Sequence, residues 1–161
     1  MSRSKTIRAV IRFARATDLQ PLLRLVASYY KFDSIAWHER TCRRALRKLL
    51  GDRSLGRVWV IDSGAALVGY MVLAYTYDLE FGGLEGMITD LYIAGSHRGE
   101  GLGTRMIATA REFCRDAGIG TIELQVSRGN RAARSFYRAL GFKAWDRIVM
   151  SIDVARGGRH R

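Results

Sequence analysis

Arg98-Gly99-Glu100-Gly101-Leu102-Gly103-Thr104 separates a strand-like run, Met87 to Ile93, from an amphipathic helix that the spacing places between Leu102 and Ala117. Leu102, Met106, Ile107, Ala110, Phe113, Cys114 and Ala117 recur at helical intervals, so one face can lie on a sheet. Gly118 is placed to stop that helix. Three glycines at a helix start let the backbone approach a ligand closely. The free N–H groups of the first turn and the helix dipole then favour an anion. Arg98 adds a permanent charge with the fork geometry that suits phosphate. The stretch reads as a pyrophosphate cradle. The same residues would also serve as a plain tight strand-to-helix connection.

Two other phosphate motifs are excluded by spacing. A P-loop requires Gly-Lys-Ser/Thr, and no lysine follows these glycines. A dinucleotide fingerprint counted from Gly101 needs glycine where Met106 stands, and counted from Gly99 it needs one where Thr104 stands.

A chain of 161 residues, 48% of them apolar and with a single proline, is long enough for one domain with a real core. No apolar run reaches the length of a membrane span, and the basic start lacks the apolar centre of a signal peptide. Cys42 and Cys114 lie far apart in sequence, as reduced thiols of a cytoplasmic protein would. His38 and Cys42 are four residues apart, but two ligands do not make a zinc site, and no metal is expected. The formal net charge of +12 raises nucleic acid as a partner. Its distribution argues against one: Val58 to His97 contains no Lys or Arg, while Asp62, Asp78, Glu80, Glu85 and Asp90 all fall there. The basic residues are spread over helices and termini, without the clustered aromatics that stack bases.

Taken in order, residues 1–6 read as a polar end, Ile7 to Ala14 as a strand, and Asp18 to Tyr30 as a helix opened by Thr17 with Gln20. A second helix is expected from Ile35 to Leu50, then a hairpin of 57–61 and 66–77 around Asp62-Ser63-Gly64. After the long helix, Thr121 to Val126 alternates Ile122, Leu124 and Val126 on one face. Asn130 is a helix cap, Gly141 a helix stop, and Trp145 to Val154 a last strand or two. The basic residues 155–161 read as a disordered tail after a single domain over 1–154.

Asn130-Arg-Ala-Ala-Arg-Ser-Phe136-Tyr137-Arg-Ala-Leu-Gly141-Phe142, together with Leu91-Tyr92-Ile93 and Arg98-x-x-Gly101-x-Gly103, strongly resembles the GNAT N-acetyltransferase superfamily, closely so from Gly69 to Phe142. The resemblance implies an α/β fold: a mixed, mostly antiparallel sheet of about six or seven strands, flanked by about four helices and splayed beside its central strand. It implies acetyl-coenzyme A as cosubstrate, with the pyrophosphate on Arg98, Gly99, Gly101, Leu102, Gly103 and Thr104. Leu91, Tyr92 and Ile93 would pair with the pantetheine arm as an added strand does. Asn130 would touch that arm or simply cap its helix. The resemblance also allows a homodimer, in which the last strand could take part.

Tyr137 stands where many relatives hold a tyrosine near the thioester sulfur, and its phenol would protonate the leaving thiolate. Its place in the apolar stripe Ala133, Phe136, Tyr137, Leu140 equally suits a core residue. An amine with a pKa near 10.4 costs on the order of 4–5 kcal/mol to deprotonate at pH 7, so a carboxylate base is wanted. Relatives often carry that glutamate on the central strand, at positions held here by Thr89 or Met87, and neither is a base. Glu85 shares their face by alternation and could act through water. Asp90 is nearer but should point to the other face. The acidic stretch 78–90, with Tyr75, Tyr77 and Phe81 and with Asp33 and Glu39 in reach, suits a small cationic acceptor such as a polyamine or a lysine-like amino acid. A protein N-terminus or lysine is the second reading; a non-catalytic nucleic-acid module is the third.

Overall fold

The computed structural model describes residues 9–154, so the polar start and the basic tail expected at 155–161 lie outside the described residues. The chain divides into two compact units, Met1–Gln125 and Val126–Arg161. The first runs β1 (Val10–Phe13), a single helical turn at Ala16–Asp18, α1 (Leu19–Phe32), α2 (Glu39–Gly51), β2 (Gly56–Asp62), β3 (Leu67–Asp78), β4 (Gly83–Ile93), α3 (Leu102–Asp116) and β5 (Ile122–Leu124). Its sheet has the order β1-β2-β3-β4-β5. Every pairing is antiparallel except β4 with β5, which is parallel. The mixed, mostly antiparallel α/β sheet matches expectation.

Each sheet face buries a different layer. Leu22, Leu23, Leu25 and Val26 of α1 and Leu46 of α2 form one cluster with Val58 and Val60 of β2 and Tyr70 and Val72 of β3. The residues between them, Trp59, Ile61, Met71 and Leu73, are fully buried and by alternation face the other way. There Trp59 meets Phe113 of α3 with ring centroids 5.3 Å apart, and α3 buries Leu102, Met106, Ile107, Ala110 and Cys114. Burial pushes the Cys114 thiol up to about 11, so it stays a protonated, inert core group.

Three local expectations are corrected. Asp18, not Thr17, is the N-cap residue of the first helix; it makes no side-chain cap bond there, and its carboxylate instead accepts the Arg15 amide of the preceding turn at 2.7 Å. The second helix begins at Glu39 rather than Ile35, because Ser34 adopts φ +57° and turns the chain out of helix. Trp37 is held there by its ring edge against Tyr30, at 5.8 Å. Trp145 to Val154 forms no strand, which leaves five strands among the described residues instead of six or seven. Trp145, Ile148, Val149, Met150, Ile152 and Val154 are all exposed. High β-propensity makes a strand only where a neighbour supplies the ladder.

One polar cluster ties the start of the unit together. Arg12 of β1 makes a two-pronged contact with Asp18, at 2.7 and 3.0 Å, and donates to Asp62 of β2 at 2.9 Å. Asp62 also accepts the Gly64 amide in the hairpin turn. The Arg12 hydrogen bonds hold the Asp18 carboxyl below the usual carboxylate range. Asp18→Ala should therefore cost about 2 kcal/mol in urea denaturation at pH 7, since Arg12 loses its two-pronged partner and keeps only Asp62. A group with a depressed folded value stabilises above the unfolded pKa of about 3.9 and loses that contribution as pH falls through the folded value. The gap between wild type and variant should accordingly close on acidification.

Candidate active site

The turn between β4 and α3 is built by glycine. Gly99 and Gly101 hold φ of +81° and +73°, where a side chain would be strained, and a Cβ at either would meet nothing within 4 Å. They are there for the backbone, beside open space. Gly101 caps α3 without a side-chain acceptor, so the amides of Leu102, Gly103 and Thr104 start the helix uncapped by any side chain. Arg98 lies at the head of the turn. Its Nε donates to the Ile93 carbonyl at 2.9 Å, and its guanidinium stacks 4.4 Å from the Phe32 ring and 5.5 Å from that of Tyr92. The arginine thereby links the end of α1 to the end of β4 and fixes a positive charge at the turn.

β4 carries the second feature. Its register with β3 shifts once: Leu73 pairs with Ile88, but Val72 pairs with Asp90, so Thr89 is the extra residue of a β-bulge. The bulge corrects the expected orientation of Asp90. Glu85 pairs with Thr76, Met87 with Ala74, Asp90 with Val72 and Tyr92 with Tyr70. Cross-strand partners share a face, so Glu85, Met87, Asp90 and Tyr92 all lie on the α1/α2 side of the sheet. Simple alternation fails because it counts Thr89. That residue is exposed, and its hydroxyl donates to Asp90 Oδ2 at 3.1 Å.

Both candidate carboxyls are shifted upward from their ordinary values. Burial pushes the Asp90 carboxyl up, with the Thr89 hydroxyl opposing. Glu85 is 3% exposed; burial raises its carboxyl foremost, then the neighbouring charge of Glu123, while a hydrogen bond from Thr76 lowers it. Glu85 Oε2 accepts that hydroxyl at 3.2 Å, and Oε1 is buried without a donor. Glu123 escaped the sequence reading, which placed only Ile122, Leu124 and Val126 on a buried face. Its signal was the parallel register, Met87 opposite Glu123, which no alternation within one strand reveals.

β5 pairs with β4 only from Gly86 to Ile88. From Thr89 to Ile93 no strand among the described residues pairs with that edge of β4, so the backbone of Leu91, Tyr92 and Ile93 is a free template for an extended ligand. The Tyr92 ring packs against Tyr29 and Tyr70, at 5.8 and 6.4 Å. Of the other acidic residues considered, Glu39 is engaged by Arg43 at 2.6 Å, and Asp78 accepts the Glu80 amide at 2.8 Å. Tyr77 is exposed and Phe81 half-buried.

In the second unit, α4 spans Arg131–Ala139. Asn130 Oδ1 accepts the Ala133 amide at 3.0 Å, which is the cap role. Tyr137 packs on Phe136 and Phe142 with centroids 5.1 and 5.5 Å away, and burial pushes its phenol up, keeping it protonated. Among the described residues no group of three or more His, Cys, Asp or Glu could hold a metal, and no helix is long and apolar enough to cross a membrane.

A mixed sheet with a bulged central strand, a strand edge left unpaired beyond Ile88 and a glycine turn without a side-chain cap are found together along β4 and its exit. The acetyltransferase (GNAT) family model matches residues 19–142, and the chain belongs to that family. Thialysine N-epsilon-acetyltransferase of Bos taurus is 26% identical over 141 residues, 82% of each chain. N-acetyltransferase 8F1 of Mus musculus is 29% identical over 94 residues, 58% of this chain; the match spans 42% of that relative's length. Among solved structures, an integron cassette protein from the mobile metagenome of Cole Harbour Salt Marsh superimposes with a TM-score of 0.80 at 30% identity, covering 91% of each chain. An aminoglycoside N-acetyltransferase in complex with CoA shares the fold, with a TM-score of 0.83 at 14% identity over 96% of this chain and 100% of that one.

Asn130→Ala should remove the cap alone. The Ala133 amide is then expected to exchange with deuterium roughly fivefold faster, equivalent to about 1 kcal/mol.

Proposed function

We propose that this protein is an acetyl-coenzyme A-dependent N-acetyltransferase acting on a small cationic amine. The observation that carries the reading is the continuity of the free β4 edge, 91–93, with the glycine turn, 98–104. An extended pantetheine can add to the first, and a pyrophosphate can sit on the amides of the second. The residues present fit the group. Leu91, Tyr92 and Ile93 would hold the arm, and Gly99, Gly101, Leu102, Gly103 and Thr104 the diphosphate, with Arg98 adding its charge. The cosubstrate supplies an activated acetyl thioester; the protein's own residues bind it, orient the amine and move protons. Glu85 accepts the proton of the acceptor ammonium, through water. Tyr137, carried over from the family motif, gives its phenolic proton to the departing thiolate. Asp90, half-buried on the same face as Glu85, contributes negative charge for a cationic acceptor.

The preference for a small amine is supported by the acidic segment 78–90 in a basic chain and by the name of the bovine relative, which specifies thialysine. A protein N-terminus or lysine remains the second reading, favoured by the exposed Tyr77 and Leu79 beside that segment, which leave room for a peptide.

Calorimetry should show binding of acetyl-coenzyme A. A panel of thialysine, lysine, polyamines and aminoglycosides, followed by free thiol release, should yield at least one acceptor above the hydrolysis background. Silence across the panel defeats the small-amine reading, and failure to bind acetyl-coenzyme A at millimolar concentration defeats the enzyme. Glu85→Gln should lower kcat/KM by about 10²–10⁴-fold, the usual contribution of a general base. Because burial raises the Glu85 carboxyl, its ionised form destabilises the fold as pH rises through the folded value. The same variant should therefore melt above wild type at pH 8 and lose that advantage on acidification. Tyr137→Phe should slow turnover and flatten the alkaline limb of the pH profile, with an unchanged KM for acetyl-coenzyme A.

A further inference from the structure

Five rings form a continuous run on the α1/α2 face of the sheet. Between centroids, Tyr70 of β3 lies 6.4 Å from Tyr92 of β4, and Tyr92 lies 5.8 Å from Tyr29 of α1. Tyr29 is 5.9 Å from Tyr30, which is 5.8 Å from Trp37 in the connection to α2. Tyr70 is fully enclosed, while the other four are half-buried and keep ring surface open to solvent. Asp90 borders the run. It stands two residues before Tyr92 and pairs with Val72 where Tyr92 pairs with Tyr70, so the carboxylate and the rings leave one face as diagonal neighbours.

This face lacks a cation and a donor. Asp90 is half-buried, has the Thr89 hydroxyl as a donor at 3.1 Å, and makes no ion pair among the described residues, although the chain carries a formal excess of +12. Arg98, the cation that stacks on this run, is tied to the Phe32 ring and the Ile93 carbonyl instead. The Tyr70 hydroxyl is buried without a hydrogen-bond partner. An ammonium supplies both a charge and N–H donors. Ring faces attract it through their quadrupoles, and the carboxylate attracts it through its charge. The rings favour an ammonium carried on methylene carbons. One carried on a hydroxyl-rich sugar would leave hydroxyls unpaired against them.

We propose that the aromatic run and Asp90 seat the ammonium end of the acceptor, and that they select an amine carried on an alkyl chain. The inference rests on the acetyltransferase reading for calling the ligand an acceptor; holding the cation is a property of the face itself. If the rings were core packing alone, an alkylammonium ion and its neutral counterpart would be treated alike.

The test is a proton NMR titration of the full-length protein with butylammonium and with neutral butan-1-ol, in the absence of acetyl-coenzyme A, so that binding is read apart from transfer. Butylammonium should bind saturably, with its methylene protons moved upfield by the rings they lie on, and butan-1-ol should not. Trp37→Leu and Asp90→Asn should each weaken butylammonium by roughly fivefold or more, while Trp37→Phe keeps a ring and should retain binding; thermal melts confirm folding. In the amine panel, thialysine, lysine and polyamines should be acetylated in preference to aminoglycosides. The absence of a saturable upfield shift, equal binding of the alcohol, or unchanged affinity in either Trp37→Leu or Asp90→Asn overturns the seat. A preference for aminoglycosides overturns the selection for alkyl amines. Butylammonium binding with a silent panel upholds the seat and defeats the small-amine transferase; an acetylated amine without butylammonium binding does the reverse.

Discussion

The site depends on one extra residue. Thr89 sits in β4 without a partner on β3, and the strand beyond it is turned over relative to the alternation that precedes it. Without that bulge Asp90 would face α3, and Tyr92 would leave the aromatic group that holds the end of α1. With it, two carboxylates and a tyrosine share the α1/α2 face. The cost is a local break in the ladder, placed where β5 has already ended and a ligand can take over the pairing.

Charge is distributed against the average of the chain. A protein with a formal excess of +12 keeps its central hairpin free of Lys and Arg and buries a glutamate there. A buried carboxylate without a cationic partner works against stability. The contrast with Asp18 is instructive. Asp18 is equally enclosed but has a guanidinium to accept from, so burial works for the fold. Glu85 has only a hydroxyl and other acids, so burial works against the charged form.

The glycine turn and the carboxylate face obey different rules. The turn is made of backbone: two left-handed glycines and a helix start without a side-chain cap. Its one side chain, Arg98, is anchored by a carbonyl and by two aromatic rings. The carboxylate face is made of side chains whose proximity depends on strand register.

Local chemistry determined what the sequence could show. Glycine spacing located the turn, helical periodicity drew α1 and α3, Asn130 marked a helix start, and the joint spacing of the two motifs identified the family; each of these signals is complete within a short stretch of chain. Tertiary structure alone decided that Asp90 faces with Glu85, that Glu123 stands opposite Met87, that Asp18 answers Arg12, and that Trp145 to Val154 forms no strand. These outcomes are set by which residue of one strand stands opposite which residue of another. Register is a property of the assembled sheet, and a one-residue shift reverses every side chain beyond it.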